Sequence, residues 1–138
     1  DESCFTVADA VQLVRHQAAD ILAVYPGKHG GLTEMRRITR VAREAGIVCA
    51  MGSNLELGIA TAAMLHLAIA DETIDSERYP ADLIGPLYHQ ADLITEPLPL
   101  GPEVATVPDG PGLGIELDRE QLARYREEAP PGIDAMPG

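Results

Sequence analysis

Basic residues are scarce in this chain. Its 138 residues include 10 Lys and Arg against 22 Asp and Glu, a formal charge of −12 at pH 7. Such a field repels phosphate backbones and anionic lipid, which argues against nucleic acid and membrane surfaces as partners. The acidic surplus suits a divalent cation if the carboxylates converge and is otherwise a solvated surface, so only a local motif separates the two. Cysteine is limited to Cys4 and Cys49, which have no CxxC spacing; Cys49 lies inside the apolar run IVCAM, and no disulfide is expected. No stretch approaches the ~18 uninterrupted apolar residues of a membrane span. The opening DESCF lacks the basic segment of a signal peptide, so a cytoplasmic protein is the expectation. Walker-type GK[ST], a GxGxxG after a strand and HxxxH spacing are also missing, which removes the usual nucleotide and histidine-metal motifs.

What the chain does have is a rhythm. Hydrophobic residues make up 46%, enough to core one ordinary domain. Val7 to about Ala18 carries apolar residues at helical spacing, with Thr6 and Asp9 spaced as a capping box. Ile21 to Tyr25 (ILAVY) is a short apolar run ended by Pro26 and Gly27, as expected of a strand buried on both faces. GKHGG reads as a loop, LTEMRRITRVAREAG as a second helix closed by Gly46, and IVCAM as a second buried strand. Ser53 is expected to open a third helix through about Ala70, and a third, more polar strand is expected between Thr73 and Ile84. Strand and helix in alternation predict parallel βα units, hence an α/β barrel or a doubly wound sheet. After Gly85 the Pro- and Gly-punctuated LPLGPEVATVPDGPGLGIEL reads as short extended segments and turns. Asp118 caps a last helix, DREQLARYREE, before a Pro/Gly-rich tail.

Several loops carry residues capable of chemistry. DES precedes a helix, where a barrel presents a strand's C-terminal end; read alone, the triplet is more often a solvated cap. GKHGG offers Lys28 and His29 beside glycine backbone, or is a tight turn with both side chains in solvent. In SNLE, Ser53 and Glu56 have capping-box spacing, and a carboxylate in the first turn of a helix at a barrel mouth is also where a general acid or a substrate contact sits. Met51 and Met64 read as core.

Taken in order, DES, an apolar strand with K-x-GG, AGI-strand-GSNLE, DLIGP and PDGPGLGIELD resemble the C-terminal half of the muconate-lactonizing and mandelate-racemase branch of the enolase superfamily, up to about Tyr125. The resemblance implies the C-terminal part of a (β/α)8 barrel over residues 1–100, a segment returning toward a capping domain over 101–129, and a flexible tail over 130–138. It makes Asp1 a Mg2+ ligand, supported by Glu2 and Ser3. Where relatives usually carry a catalytic Lys, three residues before the Lys of K-x-GG, this chain has Tyr25, and Lys28 matches the second Lys. A phenol with a reference pKa of about 10 is a poor base at neutral pH, so the departure bears on the chemistry. By the resemblance Glu56 matches an acid or substrate contact and Asp82 in PADLIGP an acidic or substrate-binding residue, with Ser53 a further substrate contact.

By this resemblance the chemistry is that of a Mg2+-dependent isomerase: removal of the proton alpha to the carboxylate of a small substrate, giving an enediolate. A sugar-acid dehydratase and an inactive half barrel that acts by assembly are the alternatives. A complete barrel needs about 250 residues. The family's K-x-K lysines, first two metal carboxylates and capping domain are therefore expected from elsewhere. The missing barrel half is the expected partner, together with homo-oligomerisation. A half barrel is also expected to leave the apolar faces of ILAVY and IVCAM uncovered.

Overall fold

Thr6 starts the first helix. Its hydroxyl accepts from the Asp9 N–H at 3.2 Å while the Asp9 carboxylate accepts from the Thr6 N–H at 2.8 Å, the reciprocal pair that the spacing predicts. In the computed structural model, which describes residues 1–126, helix α1 spans Val7–Arg15. It stops short of Ala18 because Gln17 turns into left-handed backbone at φ 50°.

Strands β1 (Ile21–Val24) and β2 (Val48–Met51) pair in parallel, Ile21 opposite Val48 through Val24 opposite Met51. Helix α3 (Leu32–Glu44) makes the crossover between them and packs against both strands and against α1. GKHGG is not a loop throughout: Pro26–His29 forms a single helical turn, α2. Pro26 at its first position is preset for helix, and Gly30 and Gly31 end it at φ 77° and 111°, where a side chain would be strained.

The third strand expected between Thr73 and Ile84 contracts to one parallel bridge. Cys49 pairs with Ile74, closed by Cys49 N–H to the Thr73 carbonyl at 2.8 Å and Asp75 N–H to the Cys49 carbonyl at 3.0 Å. Asp71, Glu72, Asp75 and Ser76 flank Ile74, so no continuous apolar face exists to extend the ladder. Helix α4 (Gly58–Ala70) follows β2, and its Met64 joins Met35, Ile38, Val24 and Met51 in the core, each at most 2% exposed. Each such side chain contributes about 1.5–3 kcal/mol by leaving water.

Burial alternates along the strands where continuous apolar runs predict cover on both faces. Leu22, Val24, Cys49 and Met51 are buried, whereas Ala23, Val48 and Ala50 are half-buried and Ile21 is exposed. Helices cover one face of the pair; the other, lined by Ala23 and Ala50, is more open. The large apolar side chains in solvent are consequently less those of ILAVY and IVCAM than Ile69, Ile84, Leu87 and Val104.

The punctuated C-terminal stretch runs as extended segments joined by isolated antiparallel bridges, Ile94 with Leu117 and Leu100 with Ala105. Asp118 then caps α5 (Arg119–Tyr125), its carboxylate accepting from the N–H groups of Glu120 and Gln121 at 3.0 and 2.9 Å. The end of DREQLARYREE beyond Arg126 and the expected tail from Pro130 lie outside the described residues.

Candidate active site

Tyr25 follows β1 directly, and strand alternation turns it to the same side as Ala23. Gly52, the first residue after β2, leaves the room its ring fills: a Cβ on Gly52 would lie 3.1 Å from the ring Cδ1. The phenol O–H donates to Asn54 Oδ1 at 3.2 Å. The backbone N–H of Asn54 in turn donates to Glu56 Oε2 at 2.8 Å. The other carboxylate oxygen, Glu56 Oε1, is buried and has no hydrogen-bond partner among the described residues. It lies over Gly27, where a Cβ would stand 2.9 Å away. Burial raises the Tyr25 phenol above its ordinary pKa, reinforced by the charges of Glu56 and Glu2 and opposed by the bond to Asn54. At neutral pH Tyr25 is therefore a protonated phenol.

The position of Glu56 follows from a local distortion. Leu55 adopts left-handed backbone, φ 59°, an unfavourable state for a residue with a side chain. Its N–H donates to Ser53 Oγ at 3.2 Å, and its carbonyl accepts from His89 Nε2 at 2.9 Å. Gly85 presses on the same turn; a Cβ there would sit 2.6 Å from the Leu55 carbonyl carbon. Helix α4 cannot propagate back through Leu55 and begins at Gly58, whose N–H is taken by both oxygens of Asp92 at 2.8 and 3.0 Å. Ser53 therefore does not open the helix, and the capping box expected between Ser53 and Glu56 is not formed. Ser53 instead donates to Asp82 Oδ2 at 2.8 Å, with the Asp82 N–H fastened to the Met51 carbonyl at 3.0 Å.

Lys28 and His29 are not solvated. The Lys28 side chain is 2% exposed and turns back toward β1, where its ammonium donates to the carboxylate and, at 3.0 Å, the carbonyl of Asp1, and to the Ala23 carbonyl at 2.8 Å. Three protons thus meet three acceptors. The ammonium also stands 4.9 Å from the centre of the Tyr25 ring. Burial lowers the Lys28 pKa, opposed by Cys4 and Glu2. His29 is 5% exposed; its Nδ1–H donates to the Phe5 carbonyl at 2.8 Å, which ties the DES segment to α2. Burial likewise lowers the His29 pKa, against the bond to Phe5.

Asp1, Lys28, Tyr25, Asn54 and Glu56 therefore form one continuous constellation, and Ser53 with Asp82 an adjoining pair. Glu2 and Ser3 are exposed beside Asp1. Asn54, Gly27 and Gly52 were not singled out by sequence reasoning; the only signal for Asn54 is its place inside SNLE, where Ser53 and Glu56 draw attention as a capping box. Among the described residues no three His, Cys, Asp or Glu side chains converge on a point that could hold a metal ion. Asp1 is one carboxylate with an oxygen already engaged by Lys28, so the donors present do not by themselves fit a divalent cation.

Known proteins share this arrangement of elements. A family model described as "Enolase C-terminal domain-like" matches residues 1–121. Muconate cycloisomerase 1 of Rhodococcus opacus is 38% identical over 125 residues, 91% of this chain and 33% of the relative. Chloromuconate cycloisomerase of Cupriavidus pinatubonensis is 34% identical over 134 residues, 97% of this chain and 35% of the relative. Among solved structures, muconate lactonizing enzyme from Klebsiella pneumoniae superposes with a TM-score of 0.82 at 31% identity, over 93% of this chain and 35% of that one. The chain thus spans about a third of the length of the relatives it matches. Its βα units are the C-terminal part of a (β/α)8 barrel, and the chain belongs to the enolase C-terminal domain-like family.

Proposed function

We propose that this chain is part of an isomerase of the enolase superfamily that removes the proton alpha to the carboxylate of a small substrate, and that Glu56 is the acid/base on its side of the site. The observation that carries this is the buried, unpartnered Oε1 of Glu56, held beside Tyr25 where β1 and β2 end. A buried acceptor without a donor costs free energy in the empty site and is repaid when a substrate proton reaches it. Tyr25 is a protonated phenol whose hydrogen is committed to Asn54, and Lys28 has its three protons on acceptors, so neither offers a basic lone pair as Glu56 does. Lys28 serves to hold Asp1.

Family membership implies a divalent metal in the whole enzyme. In this proposal it is Mg2+, Asp1 supplies one of its ligands, and Glu2 and Ser3 flank that ligand. Held with further ligands from the rest of the barrel, the ion would supply positive charge to offset the negative charge left when the proton is removed. Ser53 and Asp82, joined at 2.8 Å, form a polar wall that orients the substrate. The remaining ligands and the rest of the barrel come from outside this stretch, with assembly into a homo-oligomer.

The test is solvent deuterium incorporation at the alpha carbon of candidate carboxylates by the full-length protein carrying Glu56→Gln. Exchange falls by roughly 10²–10⁴ if Glu56 moves the proton. Exchange at the parent rate would assign that task to another residue.

A further inference from the structure

One stretch, residues 82–92, grips the turn that carries Glu56. Asp82 accepts from the Ser53 hydroxyl at 2.8 Å, His89 Nε2–H donates to the Leu55 carbonyl at 2.9 Å, and Asp92 accepts from the Gly58 N–H at 2.8 Å. Between them Gly85 meets the Leu55–Glu56 peptide backbone on backbone; a Cβ there would stand 2.6 Å from the Leu55 carbonyl carbon and 2.7 Å from the Glu56 nitrogen. Thr61 on α4 fixes the next carbonyl, its hydroxyl donating to the Glu56 oxygen at 3.0 Å. Leu55 needs this support. At φ 59° it sits in left-handed backbone, a state that persists for a leucine only where the surrounding contacts over-determine it. Of the contacts from residues 82–92, that of His89 is the hydrogen bond made to Leu55 itself, and a carbonyl can only accept, so Nε2 carries the proton. The backbone of Leu55 also decides where Glu56 goes: Oε2 returns to the Asn54 N–H at 2.8 Å and Oε1 comes over Gly27. In right-handed or extended backbone at Leu55 the carboxylate would leave that seat.

We infer that His89 is a positioning residue for Glu56: by holding the Leu55 carbonyl it keeps the turn left-handed, and through the turn it seats the carboxylate over Gly27. It acts through Leu55, not on the substrate. The inference rests on the acid/base reading of Glu56 above and adds the residue that aims it. His89 is exposed, so replacing it removes a hydrogen bond without opening a cavity in the core.

The test is solvent deuterium incorporation by the full-length protein, with the best-exchanged of a 2-hydroxycarboxylate, a 2-aminocarboxylate and a lactone acetate as probe. His89→Phe keeps a ring and loses the donor. Its kcat for exchange should fall about tenfold or more with KM within about twofold of the parent, since displacing a reacting group by about 1 Å costs up to 10²-fold. His89→Gln, whose amide brings an N–H to a comparable reach, should recover most of the rate. Leu55→Gly added to His89→Phe should recover it too, because glycine adopts positive φ without the steric cost that leucine meets. A rise in KM at unchanged kcat would show His89 touching the substrate and overturn the positioning role. Parent kinetics in His89→Phe, or a loss that Leu55→Gly does not relieve, would overturn it as well. Crystal structures of the full-length parent and of His89→Phe read the turn without any activity: Leu55 still left-handed, with Glu56 still over Gly27, sinks the inference. Leu55 leaving that state while Glu56→Gln exchanges at the parent rate, or while no probe exchanges in the parent, sustains His89 as the anchor of the turn and sinks the acid/base reading of Glu56 instead.

Discussion

Gly27 and Glu56 occupy each other's space: a Cβ on Gly27 would lie 2.9 Å from Glu56 Oε1 and 4.0 Å from its carboxyl carbon. The glycine is thus part of the carboxylate's seat. Gly27→Ala should move the end of a flexible side chain and leave the fold intact. Displacement of a reacting group by even about 1 Å can cost 10²-fold, so alpha-proton exchange should drop at least about tenfold with little change in melting temperature. A variant with parent exchange rates would remove Glu56 from the chemistry; a large fall in melting temperature would mean that the crowding strains the backbone.

His29 should make stability depend on pH. Its folded-state pKa is lowered by burial, so below the ordinary value of about 6.5 the unfolded chain binds more protons than the folded one. With more protons on the unfolded side, stability rises with pH through that window. It is lost as pH falls from there toward the folded pKa, and it is level above. Melting temperature measured from pH 5 to 8 should show this slope, and His29→Gln should flatten it. Equal slopes in the two proteins would assign the dependence elsewhere.

Divalent cations should bind this chain weakly when it is separated from the rest of a barrel. Asp1 offers one carboxylate, with one oxygen engaged by Lys28, whereas Mg2+ holds an octahedral shell of oxygens. Titration calorimetry should find no stoichiometric submillimolar binding. Tight binding abolished by Asp1→Asn would show that further ligands in this chain converge on that point.

Self-association is expected of the same isolated chain. Ile69 and Val104 are 73% and 72% exposed, Leu87 and Tyr88 nearly as much, and among the described residues β1 pairs with β2 alone. Sedimentation velocity across a concentration range should show dimers or larger species, reduced by the pair Ile69→Lys and Val104→Lys. A concentration-independent monomer with cooperative unfolding would mean that these units close on themselves.

Much of the site's neighbourhood is legible in the order of residues along the chain. Tyr25, Lys28, Ser53 and Glu56 are expected after the apolar runs, and they do follow β1 and β2 on one rim because parallel βα units leave strand C-termini on the same side; Asp1 and Asp82 join them through Lys28 and Ser53, not from strand ends. The Thr6–Asp9 box and the Asp118 cap were readable because each is a contact between residues two or three positions apart, where spacing alone sets the geometry. The same logic misled at Ser53 and Glu56. Their spacing suits a capping box, but Leu55 between them is held in left-handed backbone by His89 and Gly85, residues more than two dozen positions away.

The sequence by itself determined the two apolar strands, the helices between them and the family, since these follow from local propensity, hydrophobic pattern and the order of short motifs. Tertiary structure alone decided which atoms are free. That the Tyr25 proton is spent on Asn54 and that Glu56 Oε1 lies unanswered over Gly27 depend on segments that the α3 crossover brings together, and that the Lys28 ammonium is consumed by Asp1 and Ala23 depends on α2 folding back on β1. Hydrogen bonds saturate one donor and one acceptor at a time, and their assignment depends on ångström-scale distances that sequence spacing does not encode across a fold.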